Sequence, residues 1–300
     1  MTLKIATLIF FSLFSLISQA ACVVTDDAGA TLHLNQPAKR IISLAPDLTE
    51  ILFAIGAGNQ TTGVISGSDF PPAAKQVMQV GSYTGVDLER IVSLHPDLIV
   101  TWSNTFSRQL ATLSKFSIPI YHAAPRNLED IPRTIKNFGC LTGSSVKANQ
   151  LAAQFSRQLQ YLRHRYARQK PVRVFYQIGD YSLITINKNS WINQVIEICG
   201  GKNIFADSSM IAPEISWEAV VTMNPDVIVS DTKNPEWKKR WESWQAISAV
   251  KNHRLFAINP DLIERAGPRI LLGTRQLCEY LSTYFNNIIN SQDFSVSRDN

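Results

Sequence analysis

Two rhythms of apolar residues alternate along the chain. Short continuous apolar runs read as strands buried on both faces. Longer segments with apolar residues every third or fourth position read as helices. Arg40-Ile-Ile-Ser-Leu44 is a strand of the first kind. Asp47-Leu-Thr-Glu50 follows in capping-box form and opens a helix that runs to Gly56. The second half repeats the order, with a strand at Val172-Arg-Val-Phe-Tyr176 and a helix over residues 191–199 closed by Gly200-Gly201. Between the halves, residues 145–170 contain neither Gly nor Pro. Val146, Leu151, Phe155, Leu159, Leu162 and Tyr166 form an apolar stripe there, and Pro171 ends it. A helix of that length spans about 40 Å at about 1.5 Å per residue, a stiff connector rather than a flexible linker. Residues 23–34 read as a hairpin turning near Asp27-Ala-Gly29.

An internal repeat fixes the organisation. Leu88-Glu-Arg-Ile-Val-Ser-Leu-His-Pro-Asp-Leu-Ile-Val100 matches Trp217-Glu-Ala-Val-Val-Thr-Met-Asn-Pro-Asp-Val-Ile-Val229. Each copy reads as a short amphipathic helix, a Pro-Asp turn and a buried strand. The expected fold class is α/β: two Rossmann-like lobes joined by one long rigid helix, with a cleft between them. The expected boundaries are a leader at 1–20, a first lobe with its hairpin at 21–143, a linker helix at 144–170, a second lobe at 171–290 and a disordered tail at 291–300.

The N-terminus changes the setting of this fold. Lys4, an apolar run over residues 5–17 and Ser18-Gln-Ala20 make a secretory signal peptide, cleaved after Ala20. Cys22 raises the alternative of a lipoprotein anchor, but Gln19 stands where that signal wants Leu. In an exported chain Cys22, Cys140, Cys199 and Cys278 are disulfide candidates. Three pairings are open, and spacing does not choose among them. The net charge is +5 on scattered basic residues, with no Lys/Arg run interleaved with aromatics. A solvated surface explains this better than nucleic-acid binding.

No catalytic signature is present. The chain lacks a G-x-S-x-G elbow, a phosphate-binding P-loop and a G-x-G-x-x-G fingerprint. His33, His95, His122, His164 and His253 are isolated, so no metal site is expected. Two lobes on a stiff hinge without such a set describe a clamshell binder. Its cleft is expected to be walled by the loops after the strands: residues 45–47, 66–72, 81–85 and 102–106 from one lobe, and 179–187, 212–217, 230–234 and 260–265 from the other.

Several segments carry a resemblance. Ser68-Asp-Phe-Pro-Pro72, Asp87-Leu-Glu-Arg-Ile-Val92 with His95-Pro-Asp-Leu-Ile-Val-Thr-Trp102, Asn193-Gln-Val-Ile-Glu-Ile-Cys-Gly-Gly-Lys-Asn-Ile-Phe205 and Glu264-Arg-Ala-Gly-Pro-Arg-Ile-Leu-Leu272 resemble the periplasmic cobalamin-binding proteins of vitamin B12 ABC importers. These sit in a superfamily with siderophore and haem binders. The resemblance implies a non-enzymatic, monomeric periplasmic protein that needs no cofactor. It would carry cobalamin or a related corrinoid to the permease and ATPase subunits of an importer. A haem or ferric-siderophore binder of the same fold is the alternative, and an exported metal-binding protein or enzyme is a more distant one. By position, Tyr83 and Trp102 become first-lobe aromatics against the corrin, and Asp261 and Arg265 polar contacts to its amide arms. Asp261 and Arg265 also suit a structural ion pair. A family tyrosine falls at Gly67, a tryptophan near Ala212 with Trp217 close in sequence, and a phenylalanine at Ile184. Glu89 and Glu218, at equivalent places in the repeat, become the residues that dock on the importer. The resemblance pairs Cys199 with Cys278, which leaves Cys22 and Cys140 for a second bridge.

Overall fold

The computed structural model describes residues 21–103, 105–167 and 171–296. The expected leader at 1–20 and residues 297–300 of the expected tail lie outside the described residues. The chain opens with an antiparallel hairpin, β1 (Cys22–Thr25) and β2 (Thr31–Leu34). The first lobe follows: β3 (Ile41–Ser43), α1 (Pro46–Ala54), β4 (Thr61–Val64), β5 (Met78–Gln79), the small ribbon β6 (Gly81–Ser82) and β7 (Gly85–Val86), α2 (Leu88–Ser93), β8 (Leu98–Trp102), α3 (Ser107–Leu113), β9 (Ile120–Ala123) and α4 (Asp130–Thr142). The connector α5 (Ser145–Tyr166) leads into the second lobe: β10 (Val172–Gln177), α6 (Trp191–Ile198), β11 (Gly201–Asn203), α7 (Trp217–Met223), β12 (Val227–Ser230), α8 (Ser248–Lys251), β13 (Leu255–Ala257) and α9 (Ile270–Val296).

Both main sheets are parallel, as their unbroken apolar runs require. The first has strand order β5-β4-β3-β8-β9 and the second β11-β10-β12-β13. In each sheet the strand order reverses beside the lobe's first strand, β3 or β10. Loops leaving the carboxyl ends of the strands part there and open a crevice.

The sequence repeat is a repeat of structure. Asp97 accepts hydrogen bonds from the backbone amides of Lys39 and Arg40 at 2.8 and 2.9 Å, and Asp226 accepts one from the Arg173 amide at 3.0 Å. The guanidinium of Arg40 donates to the Leu94 carbonyl at the end of α2, and that of Arg173 donates to the Met223 carbonyl at the end of α7. In both lobes the Pro-Asp turn therefore pins a helix end to the neighbouring strand. The helix starts match as well: Asp87 caps α2 through the Arg90 amide, and Ser216 caps α7 through the Ala219 amide.

Three expectations are corrected. Asp47 does not cap α1: Ala45 is the N-cap and makes no side-chain bond, while Asp47 lies inside the first turn. The connector ends at Tyr166, and Val146 is 72% exposed. Phe155, Leu159 and Leu162 of the expected stripe are buried, and Ala148 and Ala152 extend it in place of Val146, with small residues near α4 and larger ones further on.

 A Cβ on Gly139 of α4 would stand 2.3 Å from the Ala148 Cβ, so these small residues set how closely α4 and α5 pack. The tail expected from residue 291 is helical through Val296, as the last turns of α9.

Both disulfides are formed. Cys22–Cys140 ties the hairpin to the last turn of α4, and Cys199–Cys278 ties α6 to α9. One buried cluster runs from Ile41 and Leu98 in the first lobe, through Phe155 and Leu159 of α5, to Val174 and Val229 in the second. The two lobes therefore share a core beneath the crevice, and the connector is part of it. Among the described residues, no helix is long and apolar enough to cross a membrane.

Candidate ligand-binding cleft

A cavity of about 390 Å³ opens between the lobes, at the carboxyl ends of β3 and β8. The first lobe lines it with the loop after β3 (Ala45, Pro46, Asp47), the loop after β4 (Ile65, Ser66), Tyr83, and the loop after β8 (Trp102, Thr105, Phe106). The second lobe contributes Pro260, Asp261, Glu264 and Arg265. Tyr83, Trp102, Asp261 and Arg265 thus share one open space. Tyr83 projects from the tip of the β6–β7 ribbon and is 87% exposed. Gly67 adjoins this wall through its backbone: its carbonyl accepts a bond from Arg265 at 3.2 Å, and its φ of +84° suits a residue without a Cβ.

Trp217 lies elsewhere. Its ring stacks on Trp244 at 5.4 Å and contacts Trp241 at 4.6 Å, within the second lobe's own apolar cluster. Proximity in sequence to a family tryptophan did not place it in the cleft, because it begins α7 and turns toward that cluster. Of the four second-lobe loops expected to wall the cleft, residues 260–265 line this cavity; residues 179–187, 212–217 and 230–234 do not.

Arg265 is the only cationic side chain among the described residues that line the cavity. It donates to Glu50 at 2.9 Å, to Asp69 at 2.9 Å and to Asp261 at 2.9 Å. Lys233 meets the other oxygen of Asp261 at 2.7 Å. One turn along, Arg269 donates to Glu50 at 2.8 and 2.5 Å, with its guanidinium 3.9 Å from the centre of the Phe70 ring. Glu50 and Asp69 belong to the first lobe, and both arginines to the second. The Asp261–Arg265 ion pair is therefore part of a tie that joins the two lobes at the cleft. Burial works to raise the Asp69 carboxyl, but the hydrogen bond and charge of Arg265 outweigh it and hold it below its ordinary value.

Acids whose burial outweighs any nearby cation behave differently. Asp47 is fully buried and accepts the Trp102 indole N–H on both oxygens at 3.0 Å; burial pushes its pKa up to about 6 despite that bond. In the second lobe, Asp231 accepts from the Tyr176 hydroxyl and the Gly179 amide, each at 2.7 Å. Glu264 stands beside it, and burial together with the Asp231 charge raises its pKa to about 8. The cleft thus presents one guanidinium, flat aromatic faces and an acid, Glu264, whose charged form is disfavoured by burial and by Asp231. Among the described residues, no group of three or more His, Cys, Asp or Glu is placed to hold a metal ion.

Asp47, Asp69 and Glu264 fall within loops expected to wall the cleft, though without a role assigned, while Glu50 and Arg269 lie outside those loops. One signal was available for Glu50: it is an acid within the apolar helix Pro46–Ala54 and faces the core, where it requires a buried cation. The i, i+4 pair Arg265 and Arg269 supplies it.

Residues 41–262 match the family described as periplasmic binding protein. The chain belongs to that family. It is 37% identical to the vitamin B12-binding protein of Vibrio cholerae over 82% of this chain and 90% of that one. It is 36% identical to the vitamin B12-binding protein of Yersinia pestis over 83% of this chain and 88% of that one. Among solved structures, the periplasmic vitamin B12 binding protein BtuF of Vibrio cholerae superposes with a TM-score of 0.76 at 36% identity, covering 83% of this chain and 98% of that one. The periplasmic haem-binding protein BhuT, in complex with two haems, superposes with a TM-score of 0.76 at 19% identity and shows the shared fold alone. Members of the family are binding proteins rather than enzymes, in agreement with the missing catalytic signatures.

Glu89 and Glu218 occupy equivalent places, the second residue of α2 and of α7, and both are exposed. The Glu218 backbone amide and the Ser216 hydroxyl hold its carboxyl below the ordinary range. Each lobe therefore presents a helix-start glutamate at its surface.

Proposed function

We propose that this chain captures a corrinoid of the vitamin B12 type in the periplasm and delivers it, as a monomer, to the permease and ATPase subunits of an inner-membrane ABC importer. The observation that carries the reading is the convergence of Tyr83, Trp102, Asp261 and Arg265 on one inter-lobe cavity. The vitamin B12-binding relatives support it, and the signal-peptide pattern at residues 1–20 supports export. The flat faces of Tyr83 and Trp102 suit a broad macrocycle, while Asp261 can accept from, and Arg265 donate to, peripheral amide groups. Pockets for small ligands usually hold about 300–1,000 Å³. The present volume lies near the lower bound, so a corrinoid seats with one face in the cavity and the rest between the lobe rims. Arg265 then exchanges part of its first-lobe contacts for the ligand.

The composition of the wall favours a corrinoid over a ferric siderophore. A lone guanidinium, itself occupied by three carboxylates, is a poor seat for a polyanionic ferric siderophore. No His, Cys or Met lines the cavity among the described residues, which leaves Tyr83 as the side chain able to hold haem iron. Glu89 and Glu218 serve as the docking contacts, one on each lobe. Calorimetric titration with cyanocobalamin, cobinamide, haemin and a ferric siderophore tests the reading. Saturable 1:1 binding of a corrinoid is expected, and Trp102→Ala should weaken it about tenfold or more. Binding of haemin or the siderophore with no corrinoid binding would refute it.

A further inference from the structure

The second lobe reaches the aromatic wall of the cleft at Trp191, a residue with no assigned part in the site. Its ring centroid lies 5.4 Å from that of Trp102, with the planes at 60°, an edge-to-face pair across the lobe boundary. Both rings are held from behind. The Trp102 indole N–H is fixed by the two oxygens of Asp47 at 3.0 Å. The Trp191 indole N–H donates to the Ile263 carbonyl at 3.1 Å, immediately before Glu264 and Arg265. Ser190 accepts from the Ile192 amide at 3.2 Å and so fixes the first turn of α6, from which Trp191 projects. Trp191 thus touches a first-lobe wall residue with its ring and the second-lobe binding segment with its nitrogen.

We infer that Trp191 is a positioning residue for ligand capture: it sets the tilt of the Trp102 ring and couples it to the segment carrying Asp261, Glu264 and Arg265. This rests on the cleft being the corrinoid site proposed above. An edge-to-face partner gives Trp102 one favoured orientation, and the ring need not be ordered anew when the macrocycle arrives. Without that partner the Asp47 bond alone holds the ring, its tilt is less closely set, and the ligand must complete its ordering.

The test uses the full mature chain with Trp191→Leu, Trp191→Phe, Trp102→Leu and the double variant Trp102→Leu/Trp191→Leu. Cyanocobalamin is titrated by calorimetry, and folding of each variant is checked by urea denaturation. Trp191→Leu should weaken binding roughly three- to tenfold, and Trp191→Phe should recover most of the loss. The double variant should bind no more weakly than Trp102→Leu, because Trp191 acts through that ring. A separate readout needs no ligand: circular-dichroism difference spectra of Trp191→Phe and Trp102→Phe against the parent should share one lost indole couplet. Wild-type affinity in Trp191→Leu, additive losses in the double variant, or unrelated difference spectra would each overturn the inference. If the unmodified chain failed to bind cyanocobalamin, the proposed function would fall first, and the shared couplet would still decide whether Trp191 positions Trp102.

Discussion

Glu50→Gln tests the tie between the lobes directly. The Glu50 side chain is 2% exposed and takes three charge-assisted hydrogen bonds, one from Arg265 and two from Arg269, whose side chains are 14% and 18% exposed. Glutamine keeps the shape but removes the charge, and it places an N–H group against a guanidinium. Breaking a buried ion pair by neutralising one partner costs about 3–5 kcal/mol, since the other charge stays buried. Arg265 keeps Asp69 and Asp261, so the lower end, about 3 kcal/mol, is expected. At about 2–4 °C per kcal/mol for a chain of this size class, the melting temperature should fall by roughly 6–12 °C. Scanning calorimetry at neutral pH measures it, and small-angle scattering reports whether the lobes separate. As a control, Asp69→Asn removes a partner that is 47% exposed and should cost about 1 kcal/mol or less. If Glu50→Gln melted within a degree of the parent, the cross-lobe ion network would contribute nothing net, and the account of lobe coupling would be wrong.

Asp47 predicts a pH dependence. Its folded pKa of about 6 lies above the ordinary 3.8, so the folded state binds the extra proton and stability falls as pH rises between about 4 and 6. Asp47→Asn should flatten that slope and stabilise the protein at pH 7.5 by up to about 3 kcal/mol, as read by urea denaturation across pH; an unchanged slope would contradict the assignment. The two disulfides close loops with sequence separations of 118 and 79. Paired Cys22→Ala/Cys140→Ala should therefore lower unfolding free energy by about 4–5 kcal/mol in the chain-entropy model, and the denatured, unreduced parent should show no thiol reactive to maleimide by mass spectrometry. Glu89→Lys with Glu218→Lys should abolish stimulation of the importer's ATPase in proteoliposomes while corrinoid affinity stays unchanged; loss of affinity as well would count against a docking role.

The sequence alone determined what repeats and what is local. Two lobes were legible because Leu88–Val100 and Trp217–Val229 carry the same periodicities, and a helix–turn–strand pattern depends on neighbours along the chain. The connector was legible from the absence of Gly and Pro, although its buried face was misread by taking Val146 for core. Tyr83, Trp102, Asp261 and Arg265 came from resemblance, and the structure brings all four to the same cavity wall. Tertiary structure decided the rest. Asp47 and Glu50 are spaced as a capping box, yet one holds an indole and the other two guanidinium groups supplied more than 200 positions away along the chain. Trp217 and Trp191 both begin helices in the second lobe, but one closes an apolar cluster while the other meets Trp102 across the lobe boundary. Local pattern records which face of an element is apolar; it does not record which distant element that face meets, and a charge or an indole takes its role from that partner.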